Sequence, residues 1–188
     1  MGSIRTFIAF DTPSPVREAM MAVQKELAEP DANVRWESPE KSHTTIKFLG
    51  GVDESILPGV LETTGSVCGA FRPFEVTYEG VGAFPDGRQP KVIWIGCRNT
   101  DGTLASLKSA LDRALVSFGF RIEDRPFHPH ITLGRARGPR GLQYLTPKLE
   151  KLTFEPRKET ISEILVMKSV LRPQGGEYTV LTSVHLHS

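Results

Sequence analysis

Residues 43–50 read HTTIKFLG, and the same arrangement returns from residue 130 as HITLGRAR. In an extended strand side chains alternate between the two faces, and residues i and i+2 share one face about 6–7 Å apart. His43 and Thr45 therefore point one way, and so do His130 and Thr132. Thr44, Ile46 and Phe48 take the opposite face in the first run, as do Ile131 and Leu133 in the second. The two starts lie 87 residues apart (130 minus 43), and each run passes into Leu-Gly. Two structurally equivalent strands in two lobes are expected, each with an apolar parity that packs and a polar parity free for chemistry. If the lobes face each other, the histidines converge on one cleft.

Working outward, IRTFIAF near the N-terminus alternates as a strand with one buried face. A helix follows, with Ser14 placed to cap it, Pro15 in the first turn, and an apolar stripe of Val16, Met20, Val23 and Leu27. NVRWES and TTIKFLG read as strands joined by the polar turn PEKS. A helix is expected from near Asp53 towards Val67, although Pro58-Gly59 weakens it. FEVTYEGVGAF and KVIWIGCR flank the turn-rich PDGRQP as a hairpin. Leu104, Leu107, Leu111, Leu115 and Phe118 define the clearest amphipathic helix, closed by Gly119. RGPRGLQYLTP reads as a loop, and ISEILVMKSVL with YTVLTSVHL forms a closing hairpin around Pro173-Gln174-Gly175-Gly176. Paired strands outnumber crossover helices, so the fold class is α+β with mainly antiparallel sheet.

With 188 residues and 39% hydrophobic content, the chain suits a single domain, 1–188, with two lobes. Lys and Arg number 23 against 22 Asp and Glu, so the net charge of +1 supplies no global basic field and any anionic ligand must be held locally. Cys68 and Cys97 stand apart from each other and from any CxxC pattern, which fits a reducing cytoplasm and argues against a disulfide framework or a zinc ribbon. No apolar run reaches the roughly 18–20 residues of a membrane helix. Met1 to Thr6 match the myristoylation template by letter, but RTFIAF reads as the opening core strand and leaves little free arm.

Two histidines across a cleft suit acid–base catalysis, because imidazole has an unperturbed pKa of about 6.5 and can accept or donate. One could take a proton from water while the other gives one to a departing oxygen. Threonine hydroxyls are short, uncharged donors able to hold phosphate oxygens without repelling them. Arg135, three residues beyond Thr132, could balance the charge through its forked N–H groups. Strict parity aims it away from the cleft, so a bend at Gly134 is needed to bring it in.

These residues and their flanks resemble the two-histidine (2H) phosphoesterase superfamily, and within it the RNA 2′,3′-cyclic phosphodiesterases, also called 2′-5′ RNA ligases. His43-Thr44-Thr45-Ile46 and His130-Ile131-Thr132-Leu133 match the paired HxTx signatures. RTFIAFDTPSPVREAM, VGAFPDGRQPKVIWIG and GGEYTVL match the opening strand and helix, the central hairpin and the ending. The resemblance covers about residues 4 to 181. It implies a bilobal fold, with two antiparallel sheets facing across a central groove and helices outside. It also implies cofactor-free and metal-independent hydrolysis of a terminal 2′,3′-cyclic phosphate to a 2′-phosphate, with possible reverse 2′-5′ ligation. His43 and His130 carry over as catalytic, with His130 the base and His43 the acid. Thr45, Thr132 and Arg135 carry over as substrate-binding. RNA 3′ ends with a cyclic phosphate, or small cyclic nucleotides, are the implied partners, with no membrane and a monomer expected.

Phe48 matches an aromatic or apolar position after the first signature and is assigned to core packing. Phe7, Phe84, Arg88 and Arg172 are candidate base-stacking or backbone contacts, each weighed against a structural or solvated role. His128 with His130, and His185 with His187, show HxH spacing, but no further ligand stands at recognisable spacing, so no metal is assigned. The competing function is an RNA-end binding module that uses the same cleft without turnover.

Overall fold

The structure is a computed structural model that describes residues 2–29, 31–173 and 175–187. Its elements in chain order are β1 (Ser3–Asp11), α1 (Ser14–Ala28), β2 (Val34–Trp36), β3 (His43–Asp53), α2 (Leu57–Gly69), β4 (Phe74–Phe84), β5 (Val92–Arg98), α3 (Thr103–Leu115), β6 (His130–Ala136), α4 (Leu142–Lys151), β7 (Arg157–Ile161), β8 (Glu163–Arg172) and β9 (Gly175–His185). The expected α+β architecture is present, and every strand pairing is antiparallel. The two sheets, however, are halves of one nine-stranded sheet ordered β7-β4-β5-β6-β3-β1-β8-β9, with β2 added beside β6.

The halves meet through one residue pair, Thr44 with Ile131. Those two residues are also 87 apart (131 minus 44), so each is the other's counterpart in the repeated arrangement. A residue can pair with its own counterpart only on a twofold axis, and the strand order is accordingly built alike from the centre outward on both sides. Both residues of the pair are fully buried. The core lies on their face, under the helices, and α3 contributes Leu104, Leu107, Leu111 and Leu115, each at most 1% exposed. Burial of each such leucine contributes roughly 2 kcal/mol.

Several local readings are revised. Ser14 is the first residue of α1 rather than its cap, and no side chain caps that helix. The second helix starts at Leu57, because β3 runs on to Asp53; Pro58 then falls in the first turn, where its missing N–H costs nothing. RGPRGLQYLTP is not a loop: α4 begins within it and buries Leu145 and Leu149, an i, i+4 pair, despite Pro147. RKETI, not singled out in the sequence, is β7, paired along β4. β1 is buried on both faces from Thr6 to Phe10, because Ile8 and Phe10 join the core while Phe7, on the other parity, is covered by the rings of His43, Phe48 and Tyr178. The closing hairpin holds, although Gln174 of its turn lies outside the described residues, as does Met1 of the myristoylation pattern. The carbonyl of Gly2 accepts a hydrogen bond from Glu54 N at 3.2 Å, so described chain next to that pattern is tied to the end of β3.

Gly141 opens α4 at φ 78°, and a Cβ there would lie 2.6 Å from Ala32 Cα. Gly141→Ala is therefore expected to cost about 1–3 kcal/mol, through left-handed strain together with a clash against fixed backbone. Chemical denaturation of the variant checks this; a midpoint equal to wild type would show that the α1–α4 corner yields freely.

Candidate active site

Thr44 and Ile131 pair with their side chains in the core, so the residues that flank them, His43 and Thr45 on β3 and His130 and Thr132 on β6, take the other face. Residues opposite each other in a ladder share a face, so the four form a quartet on the side away from the core. All four line one cavity of about 540 Å³. No hydrogen bond to protein is made by either threonine hydroxyl among the described residues, so both are free to donate to a ligand.

Each histidine is held in the same way. His43 Nδ1 lies 2.9 Å from the carbonyl of Lys41, and His130 Nδ1 lies 2.7 Å from that of His128. A carbonyl can only accept, so Nδ1 carries the proton in both rings and Nε2 is left for chemistry. Aromatic rings enclose the two sites. Phe7 and Tyr178 lie 4.8 and 4.9 Å from the His43 ring, while Phe84 and Trp94 lie 5.1 and 6.4 Å from His130. Burial lowers the pKa of both imidazoles, because it disfavours the charged form, and the carbonyl bonds counter it in part. The environments then differ. Arg135 disfavours the charged form of both rings, but carboxylates of Glu37 and Asp11 favour a charged His43, and no carboxylate does so for His130.

Arg135 does face the cavity, for a reason other than a bend at the strand end. In the β5–β6 ladder Ile93 pairs with Gly134 and Trp94 with Thr132, so Leu133 is an unpaired bulge residue and the alternation shifts by one. β3 has the same device: Ile8 pairs with Lys47 and Ala9 with Thr45, leaving Ile46 unpaired. The two bulges are 87 residues apart as well (133 minus 46). The first one carries Phe48 out of the core. Its assignment to packing is corrected: Phe48 is 57% exposed and lines the cavity, 5.9 Å from Phe7. Phe48 and Arg135 are counterparts (135 minus 48 is again 87), so one end of the groove is aromatic where the other is cationic.

β2 fills the gap where β3 and β6 diverge beyond their single pair. Arg35 pairs with Arg135 across the β2–β6 ladder, and Glu37 follows on the same parity. Glu37 Oε1 accepts from Arg35 Nη2 at 2.8 Å and lies 3.5 Å from Arg135 Nε. The buried Gln24 amide donates to the carbonyls of Glu37 and Leu133, at 2.7 and 2.9 Å, and fastens this segment to the bulge of β6.

The comparisons with known proteins follow the same division. The family model for LigT-like phosphoesterases matches twice in succession, over residues 10–94 and 95–178. The chain belongs to the LigT-like phosphoesterase family. It is 34% identical over 177 residues to the RNA 2′,3′-cyclic phosphodiesterase of Methanothermobacter thermautotrophicus, covering 94% of this chain and 95% of that one. It is likewise 34% identical over 182 residues to the Thermotoga maritima protein of the same name, covering 95% and 93%. Among solved structures, a Thermus thermophilus protein superimposes with a TM-score of 0.81 at 25% identity, covering 97% and 98% of the two chains. The Escherichia coli LigT complex with 3′-AMP gives 0.78 at 25% identity, covering 99% of each.

In this LigT-like phosphoesterase, Arg35, Glu37, Lys41 and Tyr178 also line the groove and escaped the sequence reading. The parity of VRWES could have flagged Arg35 with Glu37, but nothing local says that β2 reaches the groove floor. Of the candidate RNA contacts, Phe7, Phe84 and Arg172 line the cavity and Arg88 does not. His128 is exposed beside Phe84, and His185 and His187 are exposed at the far end of the chain. No helix among the described residues is long and apolar enough to cross a membrane.

Proposed function

We propose that this chain hydrolyses RNA-terminal or small-nucleotide 2′,3′-cyclic phosphates to 2′-phosphomonoesters, with His130 as base and His43 as acid. The observation that carries this reading is the twofold quartet itself: two imidazoles with free Nε2 atoms and two unpaired hydroxyls aimed into one groove. The cyclic phosphate sits between them. His130 Nε2 removes a proton from water as the water oxygen attacks phosphorus, the P–O3′ bond breaks, and His43 gives its Nε2 proton to O3′. Thr45 and Thr132 donate to the non-bridging oxygens, and Arg135 balances the charge that grows on them. The division of roles follows the surroundings, since Arg135 acts on both rings alike and only His43 has carboxylates, Glu37 and Asp11, that help it keep a proton. With a 5′-hydroxyl end in place of water, the same groups support 2′-5′ ligation: His130 takes the hydroxyl proton, a P–O5′ bond forms, the P–O3′ bond breaks and His43 protonates O3′.

Both cysteines are free and buried, and burial pushes each thiol up to about 12, so they stay protonated and inert in the cytoplasmic setting we assign. A monomer suffices, because all the groups invoked come from one chain and it acts on RNA ends or small cyclic nucleotides without a membrane.

Incubating the protein with an oligoribonucleotide ending in a 2′,3′-cyclic phosphate, in EDTA, should give a 2′-phosphate end. Thr45→Val and Thr132→Val should each lower kcat about 10–10³-fold with little change in fold. A 3′-phosphate product, tight binding without product, or loss of activity in EDTA with recovery on adding zinc would each overturn the proposal.

A further inference from the structure

The groove holds more positive charge than one cyclic phosphate uses. Arg5, Arg35, Lys41, Arg135 and Arg172 line it, against the single lining carboxylate of Glu37. Arg172 is paired outside it, Nε to Glu177 Oε2 at 3.2 Å, and Glu37 is shared by Arg35 and Arg135. Neither Arg5 nor Lys41 has a carboxylate partner among the described residues. Five cations less two carboxylates leave three charges, and a cyclic phosphodiester neutralises one.

Two of these cations meet across the β2–β6 ladder. Arg35 and Arg135 are direct cross-strand neighbours, an arrangement that repels unless an anion sits between them. One carboxylate for two guanidinium groups answers half of that need, and Arg35 Nε is buried without any partner. Tyr178 stands in the same field, raised in pKa first by burial and then by Glu37, with Arg135, Arg35 and Arg5 all acting on it. Its hydroxyl has no partner among the described residues' hydrogen bonds and leans over Gly176, where a Cβ would lie 2.5 Å from that oxygen. Phe7, Phe48 and Phe84 give the groove its apolar lining.

We infer that Arg35, supported by Arg5 and the Tyr178 hydroxyl, forms a second anion subsite that takes a phosphoryl group on the 5′-oxygen of the ribose carrying the cyclic phosphate. This deepens the cyclic-phosphodiesterase reading and rests on it. The subsite is distinct from the quartet: it touches no reacting bond, and it sets which cyclic phosphates are good substrates. The 5′-phosphoryl group is supplied by an RNA chain as its last internucleotide diester, or by a nucleotide as a terminal monoester.

The test compares adenosine 2′,3′-cyclic phosphate with its 5′-phosphorylated form and with the dinucleotide ApA ending in the cyclic phosphate. For wild type, kcat/KM on each phosphorylated substrate should exceed that on the bare nucleoside by about 10–100-fold. Arg35→Ala should bring both ratios to within about threefold of unity, and any loss shared by all substrates cancels in the ratio. Tyr178→Phe, which keeps the ring, should lower the ratios about 3–10-fold. If only the dinucleotide gains and Arg35→Ala leaves that gain intact, base stacking rather than the 5′-phosphoryl group is recognised and the inference fails. Equal efficiencies in wild type also overturn it, whereas no turnover of any of the three would sink the parent reading instead.

Discussion

His130→Ala and His43→Ala are each expected to lower kcat/KM on a cyclic-phosphate RNA end by about 10²–10⁴-fold, the usual worth of a positioned proton-transfer group. Neither ring is part of the hydrophobic core, so both variants should melt near wild type. The two losses should not be alike in kind. On a deoxynucleoside 3′-p-nitrophenyl phosphate the leaving group departs as a stable anion and needs no proton. The His43→Ala defect should then shrink towards unity while the His130→Ala defect stays. The opposite pattern would exchange the two roles, and equal defects on both substrates would remove the acid–base division.

The pH dependence has a sign set by the same surroundings. kcat/KM reports the free enzyme, rising as His130 loses its proton and falling as His43 loses its own. Burial lowers both from the ordinary imidazole value, so the optimum belongs on the acidic side of neutrality. Glu37→Gln removes the larger of the two carboxylate influences that raise His43, so the descending limb should move to lower pH. A profile that peaks in the alkaline range would contradict the assignment.

Asp112→Ala should be the most damaging single change to stability. Lys47 Nζ, on a side chain 1% exposed, lies 2.5 Å from Asp112 Oδ1 and 3.0 Å from the carbonyl of Arg121. Lys108 Nζ lies 2.6 Å from Asp112 Oδ2 and 3.2 Å from Glu123. Burial pushes the Asp112 carboxyl up, but hydrogen bonds from Lys108 and Lys47 more than reverse this and hold it below the usual carboxylate range. A carboxyl held low stabilises the fold above its unfolded value of about 4, and that contribution disappears as pH falls through the folded value. Removing it leaves two buried ammonium groups without their shared partner, a loss of about 3–5 kcal/mol. For a chain of this size the melting temperature should fall by roughly 6–20 °C. Lys47→Met should cost far less, since Lys108 still satisfies Asp112 and the methionine fills the space with apolar atoms. Thermal unfolding of the two variants decides the matter. A drop of under about 2 °C for Asp112→Ala would show that this network is not what binds α3 to β3.

Lys47 also shows where reading along a strand stops working. Strict alternation assigned Phe48 to the core and Arg135 away from the cleft, and both residues lie on the groove side. The cause is the pair of bulges at Ile46 and Leu133, and a bulge belongs to two strands at once. Which residue is left unpaired depends on β1 and β5, which are remote from these signatures in sequence. The helix α4 escaped for a related reason. Its helical spacing is short, Pro147 interrupts it, and the glycine that opens it is justified only by the backbone of Ala32 against it.

By itself the sequence determined the members of the quartet and the face each would take. Side-chain alternation over three residues is a local property, and His43, Thr45, His130 and Thr132 lie before any bulge disturbs it. Only the tertiary structure decided that the two strands touch at Thr44 and Ile131, on a twofold axis that makes the histidines partners. It also decided that Arg35, Glu37 and Tyr178 gather beside them. Those placements depend on pairings between strands far apart in the chain, whose registers are fixed by the packing of one shared core.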